Sequence, residues 1–361
     1  MKKTIPLIGL ISVLAFIMLS FSAPENSWPI GSRQKRISNR GIYITASIAQ
    51  LKTRFNYIKE QAKRVGIDTL VIDAKAALSP PYLKLIKEKK LIPGVRVSPD
   101  PWLSELTKQL QAEGFIVTVR LVVFKDDHLV LARPDLGIKG KGGEIYRDYK
   151  GGRWADPYSD EVRFYNALIA ETAALSGVDE VQFDYIRFPA EGAALEAYYP
   201  YEKKGTSKVD IICQFLKETR ARLDRYHTSL AVDIFGVTAW QSKNDIENLG
   251  QDLKRMAKYL DVISPMLYPS HFHEGYDGFA NPGAEPYYFL NAGVRKAREL
   301  LSDEATVLVP WLQGFNLKSP NFGPSYILEQ IRGAKEAGSD RFLIWNARND
   351  YEVTFRALAK D

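Results

Sequence analysis

The sequence predicts a single (β/α)8 barrel, and three observations lead to this fold class. Eight short apolar runs rich in β-branched residues alternate with longer segments that have a helical period. Several helical segments end at a glycine directly before the next run, as expected of a left-handed helix cap. No Gly-x-Gly-x-x-Gly turn follows the first run, which disfavours the alternative of an open doubly wound sheet.

The eight predicted strands have few polar residues inside them, which is typical of parallel strands covered on both faces. They span Gly41 to Ala46, Thr69 to Lys75, Phe115 to Phe124, Glu180 to Phe188, Ser229 to Val237, Val262 to Pro269, Thr306 to Phe315 and Arg341 to Asn349. The predicted helices span Thr53 to Val65, Pro101 to Glu113, Asp160 to Leu175, Val209 to Arg225, Ile246 to Lys258, Pro286 to Leu301 and Pro324 to Ala337. The capping glycines are Gly66, Gly114, Gly177 and Gly338.

The amino terminus predicts export from the cytoplasm. Two lysines precede the uncharged, apolar stretch from Thr4 to Phe21, and Ser20-Phe21-Ser22 forms a small-x-small cleavage pattern. The apolar stretch also approaches the length of a membrane anchor, so residues 4–21 are either a cleaved signal or a membrane tether. The predicted organisation is a signal or anchor over residues 1–22, a polar linker over 23–39 and the barrel over 40–361, in a periplasmic or secreted protein.

Composition excludes several classes of function. The formal net charge is +6 over 361 residues, which is too mild and too dispersed to indicate a nucleic-acid partner. The single cysteine, Cys213, falls inside a helical pattern, and no Gly-x-Ser-x-Gly motif is present, so serine or cysteine hydrolase chemistry is not supported. His271 and His273 lack the further ligands of a usual zinc site. We therefore predict no metal and no cofactor, and the sequence predicts no oligomeric state.

The segment EVQFDYIRFP carries the main candidate catalytic residue. Alternate side chains of a barrel strand point inward, so the polar pair Gln182 and Asp184 should face the interior. The other face, which meets the helices, carries Val181, Phe183 and Tyr185. A carboxylate inside the barrel is costly unless it is paired or used. Asp184 is therefore either a catalytic carboxylate at the barrel rim or only the ion-pair partner of Arg187 or Arg120.

The next strand supplies a second carboxylate. In SLAVDIFGV the same alternation turns Ala231 and Asp233 inward, next to Asp184. Cleavage of a glycosidic bond needs two carboxyls, one to protonate the leaving oxygen and one to attack the anomeric carbon or activate water. Asp233 is thus a candidate acid/base, or else a structural or substrate-orienting residue. A separation of about 5 Å favours retention of configuration, and roughly 6.5 to 9.5 Å favours inversion.

Further polar residues at strand ends are predicted to bind substrate. Asp73 and Lys75 are in phase on the second strand and form either a substrate clamp or a rim ion pair. Arg120 is in phase with Thr118 and should point inward, where its permanent charge needs an acidic partner such as Asp184. The remaining predicted substrate-binding residues are Arg187, Tyr268, His271, Trp311, Gln313, Trp345 and Asn346.

Aromatic rings beside amides at a barrel mouth suit sugars, because sugar rings have apolar C–H faces and polar edges. For each tryptophan, packing in the core is an equal alternative to sugar binding. The long segments after the third and fourth predicted strands, 125–160 and 190–208, are expected to be functional loops at the carboxyl ends of the strands.

The blocks EVQFDYIRFP, DVISPMLYPSHF and LIWNARNDY together resemble a bacterial family of glycosyl hydrolase domains, long held to be a domain of unknown function. The resemblance covers about residue 40 to the carboxyl end. It implies a barrel related to the α-amylase-like superfamilies, in which an aspartate at the end of strand four is the nucleophile, and this role maps onto Asp184. The amylase pattern has a glutamate on strand five, where this chain has Asp233.

Three functions follow from these observations. The first is hydrolysis of an extracytoplasmic polysaccharide or oligosaccharide through Asp184 and Asp233. The second is a non-catalytic envelope protein that holds a glycan with the same barrel mouth. The third is a scaffold that presents residues 125–160 to another protein.

Overall fold

The structure is a computed structural model that describes residues 35–190 and 192–359. The predicted signal or anchor and the linker up to residue 34 lie outside the described residues. Within the described ranges, no helix is both long and apolar enough to cross a membrane.

Parallel strands form a closed barrel, which confirms the predicted fold class. Each strand from β1 to β5 pairs with the next strand along the chain, and β9 pairs with β1. β6 also pairs with both β7 and β8, and β8 pairs with β9. The strands are β1 (Arg40–Thr45), β2 (Thr69–Asp73), β3 (Ile116–Val122), β4 (Glu180–Asp184), β5 (Ser229–Phe235), β6 (Val262–Met266), β7 (Val307–Leu308), β8 (Trp311–Gln313) and β9 (Phe342–Trp345).

The seventh strand of the barrel is interrupted, so the continuous strand predicted over residues 306–315 is wrong. β7 and β8 are its two halves, separated by Val309 and Pro310. Pro310 has no N–H to give to a strand ladder, although its carbonyl accepts the Leu343 N–H at 2.9 Å. The chain therefore keeps its place in the barrel but loses regular pairing at the proline.

The helices surround the barrel close to their predicted positions. They are α1 (Ala46–Gln50), α2 (Lys52–Arg64), α3 (Lys75–Leu78), α4 (Pro80–Lys87), α5 (Pro101–Ala112), α6 (Asp127–Ala132), α7 (Asp160–Leu175), α8 (Lys208–Leu223), α9 (Lys243–Leu249), α10 (Leu253–Ala257), α11 (Pro286–Leu300), α12 (Pro324–Glu336) and α13 (Glu352–Leu358). The helix predicted over 246–258 is wrong as a single element. Gly250 adopts φ 74° and divides it into α9 and α10.

Two apolar layers confirm the predicted alternation of inward and outward residues. The outer layer fills the space between sheet and helices, where Phe183 of β4 stacks on Phe215 of α8 with ring centroids 5.1 Å apart. The smaller inner layer is a separate buried cluster in the barrel interior. Its members include Tyr43, Val71, Ala231, Val262, Trp311 and Leu343.

Residues 35–39, which the sequence assigns to the linker, lie against the amino-terminal floor of the barrel. The fully buried Ser38 donates its backbone N–H to Glu180 Oε2 at 3.2 Å and also binds Glu180 through its hydroxyl. Thr118 donates its hydroxyl to Glu180 Oε1 at 3.2 Å, and Arg36 donates to the Phe115 carbonyl. The chain therefore reaches the barrel on the face opposite the carboxyl ends of the strands.

Glu180 makes the stability of the barrel depend on pH. Burial raises the pKa of Glu180 from 4.5 to about 7, so the folded state holds this proton more tightly than the unfolded chain. The associated stabilisation is present below the unfolded value and is lost as pH rises through the folded value. Glu180→Gln cannot titrate. We expect its unfolding free energy, relative to wild type, to rise by up to about 3 kcal/mol between pH 4.5 and pH 8.

Urea unfolding at several pH values measures this difference. Glu60→Gln, at an exposed position of α2, is the matched control and should track wild type at every pH. A constant difference between Glu180→Gln and wild type across this range would contradict the account.

Candidate active site

Arg120 is the centre of the candidate site. It projects from β3 into the barrel and is 5% exposed. Its guanidinium binds Asp184 Oδ2 through Nε at 3.1 Å and also through Nη2, and it binds Asp73 Oδ2 through Nη1 at 2.6 Å. Asp233 Oδ2 lies 4.0 Å from Arg120 Nε. One buried cation thus joins the carboxylates at the ends of three strands, β2, β4 and β5.

Burial alone would lower the pKa of Arg120, but the charges of Asp184, Asp73 and Asp233 raise it above its ordinary value. The guanidinium is therefore a fixed positive charge in the barrel. Of the three aspartates around it, Asp73 is the most exposed. The Asp73 side chain is 27% exposed, whereas those of Asp184 and Asp233 are 7% and 2% exposed.

Asp184 is fixed on both of its oxygens. Oδ2 accepts the two bonds from Arg120, and Oδ1 accepts the backbone N–H of Tyr185 at 2.6 Å. Tyr185 adopts φ 51°, a left-handed conformation that is strained for an aromatic residue. This turn ends β4 and takes the Tyr185 ring to Trp154, 5.7 Å away between centroids. β4 thus ends four residues before the end predicted for it at Phe188, although Tyr185 still packs against the outer apolar layer as predicted.

Asp233 has a different environment from Asp184. Its Oδ1 accepts the indole N–H of Trp311 at 2.6 Å. Burial, and next the charge of Asp184, raise the pKa of Asp233 well above its ordinary value, while Arg120 and Trp311 act in the opposite direction. The environment of the Asp233 carboxyl therefore favours its protonated form more than that of an ordinary aspartate. Two neighbouring carboxyls with opposed environments are the usual arrangement for a catalytic acid and its partner.

The two carboxyls lie close enough to act on one bond. Asp184 Oδ2 and Asp233 Oδ2 lie 3.1 Å and 4.0 Å from the same Arg120 Nε atom. The distance between these two oxygens can therefore be no more than about 7 Å. This upper limit is compatible with both the retaining spacing of about 5 Å and the inverting spacing of roughly 6.5 to 9.5 Å.

Aromatic side chains form the wall of the site. Trp345 of β9 is partly exposed and lies against Tyr43 of β1, with ring centroids 4.0 Å apart and an interplanar angle of 30°. The Arg120 guanidinium carbon is 5.0 Å from the Trp345 ring centroid. Trp311 meets Trp345 edge-on at 5.7 Å. Trp345 therefore presents an aromatic surface directly beside the carboxylates.

Tyr268 and His271 extend this wall along the segment after β6. Their rings are 5.2 Å apart, and Phe315, just beyond β8, is 5.7 Å from Tyr268 and 5.8 Å from His271. Burial raises the pKa of Tyr268 well above its ordinary value, with a further contribution from Asp233. Burial lowers the pKa of His271, and the positive charges of Lys150 and Lys318 lower it further.

Asp73 and Lys75 do not form the predicted rim ion pair, and this prediction is wrong. Asp73 binds Arg120 and accepts the Tyr43 hydroxyl at 3.0 Å. Lys75 lies in the first turn of α3, where its ammonium pairs with Asp126 at 2.7 Å and donates to the Val123 carbonyl at 2.8 Å. β2 ends at Asp73, so the strand alternation that paired the two residues stops there.

Three other predicted substrate-binding residues make protein contacts instead of facing the carboxylates. Arg187 is 3% exposed, donates to the Phe188 carbonyl and lies over the Trp154 ring at 5.1 Å. Gln313 is fully buried and accepts the Ser270 N–H at 3.1 Å. The Asn346 amide donates to the Gly314 and Asp350 carbonyls at 2.7 and 2.8 Å. These contacts make all three residues supports for the loops that surround the mouth.

Tyr43 is a site residue that the sequence analysis missed. Its hydroxyl binds Asp73, and its carbonyl accepts Asn349 Nδ2 at 3.0 Å and the Tyr351 hydroxyl. The alternation that located Asp73 and Asp184 also turns Tyr43 inward on β1, so the signal was present. Tyrosine inside an apolar strand is easily taken for core.

Comparison with solved structures agrees with the barrel. The PgaB (BpsB) glycoside hydrolase domain from Bordetella bronchiseptica is 11% identical and has a TM-score of 0.58 over 90% of this chain and 98% of its own. The endo-β-1,4-mannanase from Thermotoga petrophila is 13% identical, with a TM-score of 0.56 over 90% of this chain and 76% of its own. At these identities the likeness concerns the fold.

The C-terminal domain of a chitinase-like protein from Desulfitobacterium hafniense DCB-2 is 10% identical, with a TM-score of 0.52 over 90% of this chain and 99% of its own. No curated protein matches the sequence significantly. The family model described as "Putative glycosyl hydrolase domain" matches residues 41–351. This range includes every strand of the barrel apart from Arg40, the first residue of β1. The chain belongs to this glycosyl hydrolase domain family, whose substrates are carbohydrates.

Proposed function

We propose that the protein hydrolyses glycosidic bonds with Asp184 as the nucleophile and Asp233 as the proton donor. The observation that carries the proposal is the arrangement around Arg120, which pairs directly with Asp184 and leaves the buried Asp233 carboxyl with a raised pKa. A glycosidase needs one ionised carboxylate and one protonated carboxyl on opposite sides of the scissile bond.

In the proposed reaction, Asp233 transfers its proton to the glycosidic oxygen as the bond from that oxygen to the anomeric carbon breaks. Asp184 then forms a bond to the anomeric carbon, and water later releases the sugar with Asp233, now ionised, as the base. The retaining route follows from the assignment of Asp184 as the nucleophile, and the distance limit between the two carboxyls is compatible with it. Arg120 stabilises the negative charge at Asp184 before and after the reaction.

The other predicted substrate-binding residues divide into two groups. Trp345 offers its ring to the apolar face of a sugar, and Asp73, the most exposed of the three aspartates, offers a carboxylate to sugar hydroxyls. Arg187, Gln313 and Asn346 act as positioning residues through the contacts described above. Trp311 positions Asp233 through its indole N–H.

Replacement of Asp184 tests the assignment. Incubation with a panel of cello-, manno-, chito- and galacto-oligosaccharides identifies an accepted glycan. On that glycan we expect Asp184→Asn to lower kcat by about a thousandfold or more, because losing the nucleophile should cost several kcal/mol in the barrier. Asp303→Asn, an exposed aspartate far from the mouth, is the matched control.

Thermal unfolding of both variants separates a loss of chemistry from a loss of folding. Asp184→Glu, which keeps the charge beside Arg120, serves as a second variant in case the amide destabilises the fold. Full turnover by Asp184→Asn would rule the assignment out. Tight glycan binding by wild type with no turnover on any member of the panel would favour the non-catalytic glycan-binding function instead.

We also propose that the barrel works outside the cytoplasm, exported through residues 1–22. The support for this proposal is the pair of lysines followed by the uncharged, apolar stretch over residues 4–21 and the small-x-small pattern at Ser20-Phe21-Ser22. Expression of the full chain followed by cell fractionation and amino-terminal sequencing tests this proposal. We expect the protein in the periplasm, medium or membrane fraction, and recovery in the cytoplasm with Met1 to Ser22 intact would contradict it.

A further inference from the structure

A polar depression opens beside the candidate site, between the segment after β6 and the segment after β8. We call it the side cleft, and it has a volume of about 550 Å³. This lies within the range of roughly 300 to 1,000 Å³ that small-molecule sites occupy. Its lining residues are Glu274, Asn281, Asn316, Lys318, Ser319 and Pro320.

The side cleft is continuous with the wall of the candidate site. Phe315 directly precedes Asn316 of the cleft, and its ring contacts Tyr268 and His271. His271 lies three residues before Glu274, on the opposite wall of the cleft. A chain molecule that leaves the carboxylates past Tyr268 would therefore meet His271 and Phe315 next, and the cleft after them.

The cleft walls are held in place by buried hydrogen bonds. Gln313 connects the two walls, because its amide oxygen accepts the Ser270 N–H while its amide nitrogen donates to Ser319 Oγ at 2.9 Å. The Tyr326 hydroxyl donates to the Gly283 carbonyl at 2.9 Å. At Gly283 the backbone passes so close to the Lys318 carbonyl that there is no room for a side chain. The cleft is therefore a preformed feature of the fold.

The lining groups suit a hydroxyl-rich, uncharged ring. Glu274 supplies acceptors, Lys318 supplies donors, and Asn281 and Asn316 supply both. Among the described residues, Glu274 and Lys318 make no ion pair with each other or with a third group. Their opposite charges balance, and both stay available for a ligand. A sugar ring, whose hydroxyls donate and accept, matches this combination, whereas the balanced charges of Glu274 and Lys318 give no net attraction for a polyanion.

We propose that the side cleft is a second sugar subsite, which binds an uncharged pyranose unit of the glycan whose scissile bond lies at Asp184. The inference rests on the proposed function of the mouth and specifies its substrate: an oligosaccharide or polysaccharide long enough to reach from the carboxylates to Asn316. Affinity should accordingly rise with chain length.

The test compares neutral cello-, manno- and chito-oligosaccharides of two to six units. Asn281 and Asn316 are replaced together by alanine, and Lys318→Ala is made separately. We expect Kd for the hexasaccharide, measured by calorimetry on the Asp184→Asn protein, to rise about tenfold or more in either cleft variant. The disaccharide should change less than twofold. Lys217→Ala, at an exposed position of α8, is the matched control and should alter neither value.

The outcomes separate the subsite from the proposed function. Hexasaccharide affinity that is equal to disaccharide affinity, or unchanged in the cleft variants, would overturn the subsite even if wild type hydrolyses glycans. Length-dependent binding that the cleft variants abolish supports the subsite, even if wild type shows no turnover and the proposed hydrolysis fails. Tighter binding of galacturonate oligomers than of their carboxyl-reduced counterparts would also overturn the assignment, because it would indicate an acidic ligand.

Discussion

The structure depends on one buried guanidinium. Three aspartates at neighbouring strand ends would repel one another inside the barrel, and desolvation would add to the cost of each charge. Arg120 makes the cluster possible by pairing with Asp184 and Asp73 and by lying near Asp233. Because it pairs closely with two of them and only distantly with the third, it also divides their roles. Asp233 has the Trp311 N–H as its near partner, and burial together with the negative charge of Asp184 raises the pKa of its carboxyl.

The alternation of side chains between the two faces of each strand was sufficient to predict the barrel and its inward carboxylates. It located Asp184, Asp233, Asp73 and Arg120 in the interior because β2 to β5 are regular strands whose outward residues all meet helices. The same rule failed where regular pairing ends. Lys75 begins a helix, and β4 stops at Asp184 because Tyr185 adopts a left-handed turn that no local propensity of tyrosine favours.

Hydrogen-bond partners were beyond the reach of the sequence. Gln313 and Asn346 have the residue types and positions of sugar ligands, yet their amides are used by carbonyls and N–H groups of segments far apart in the chain. Such partners depend on where the loops close in three dimensions, which strand periodicity does not encode. The side cleft was missed for the same reason, since its walls come from two separate loops that contacts such as those of Gln313 and Gly283 bring together.

The two ends of the barrel illustrate how position sets the consequence of a buried acid. Glu180 at the floor is enclosed by Ser38 and Thr118 and makes no ion pair with any of the described residues, so its raised pKa bears mainly on stability. Asp233 at the mouth lies beside Asp184 and an aromatic wall that opens to solvent at Trp345, so under the proposed function the same physical effect would supply a proton for transfer. A buried acid near a strand end can take part in catalysis only where a second carboxyl and a path for substrate are present.

The central claim is that Asp233 holds its proton far more tightly than an ordinary aspartate, and the carboxyl signals of ¹³C-aspartate-labelled protein test it without a substrate. An NMR titration should show one signal, absent in Asp233→Asn, that titrates well above the ordinary range of an aspartate. The signal of Asp156, whose pKa burial raises to about 6, serves as an internal reference. If the signal that is lost in Asp233→Asn titrates in the ordinary range, the division of roles around Arg120 is wrong.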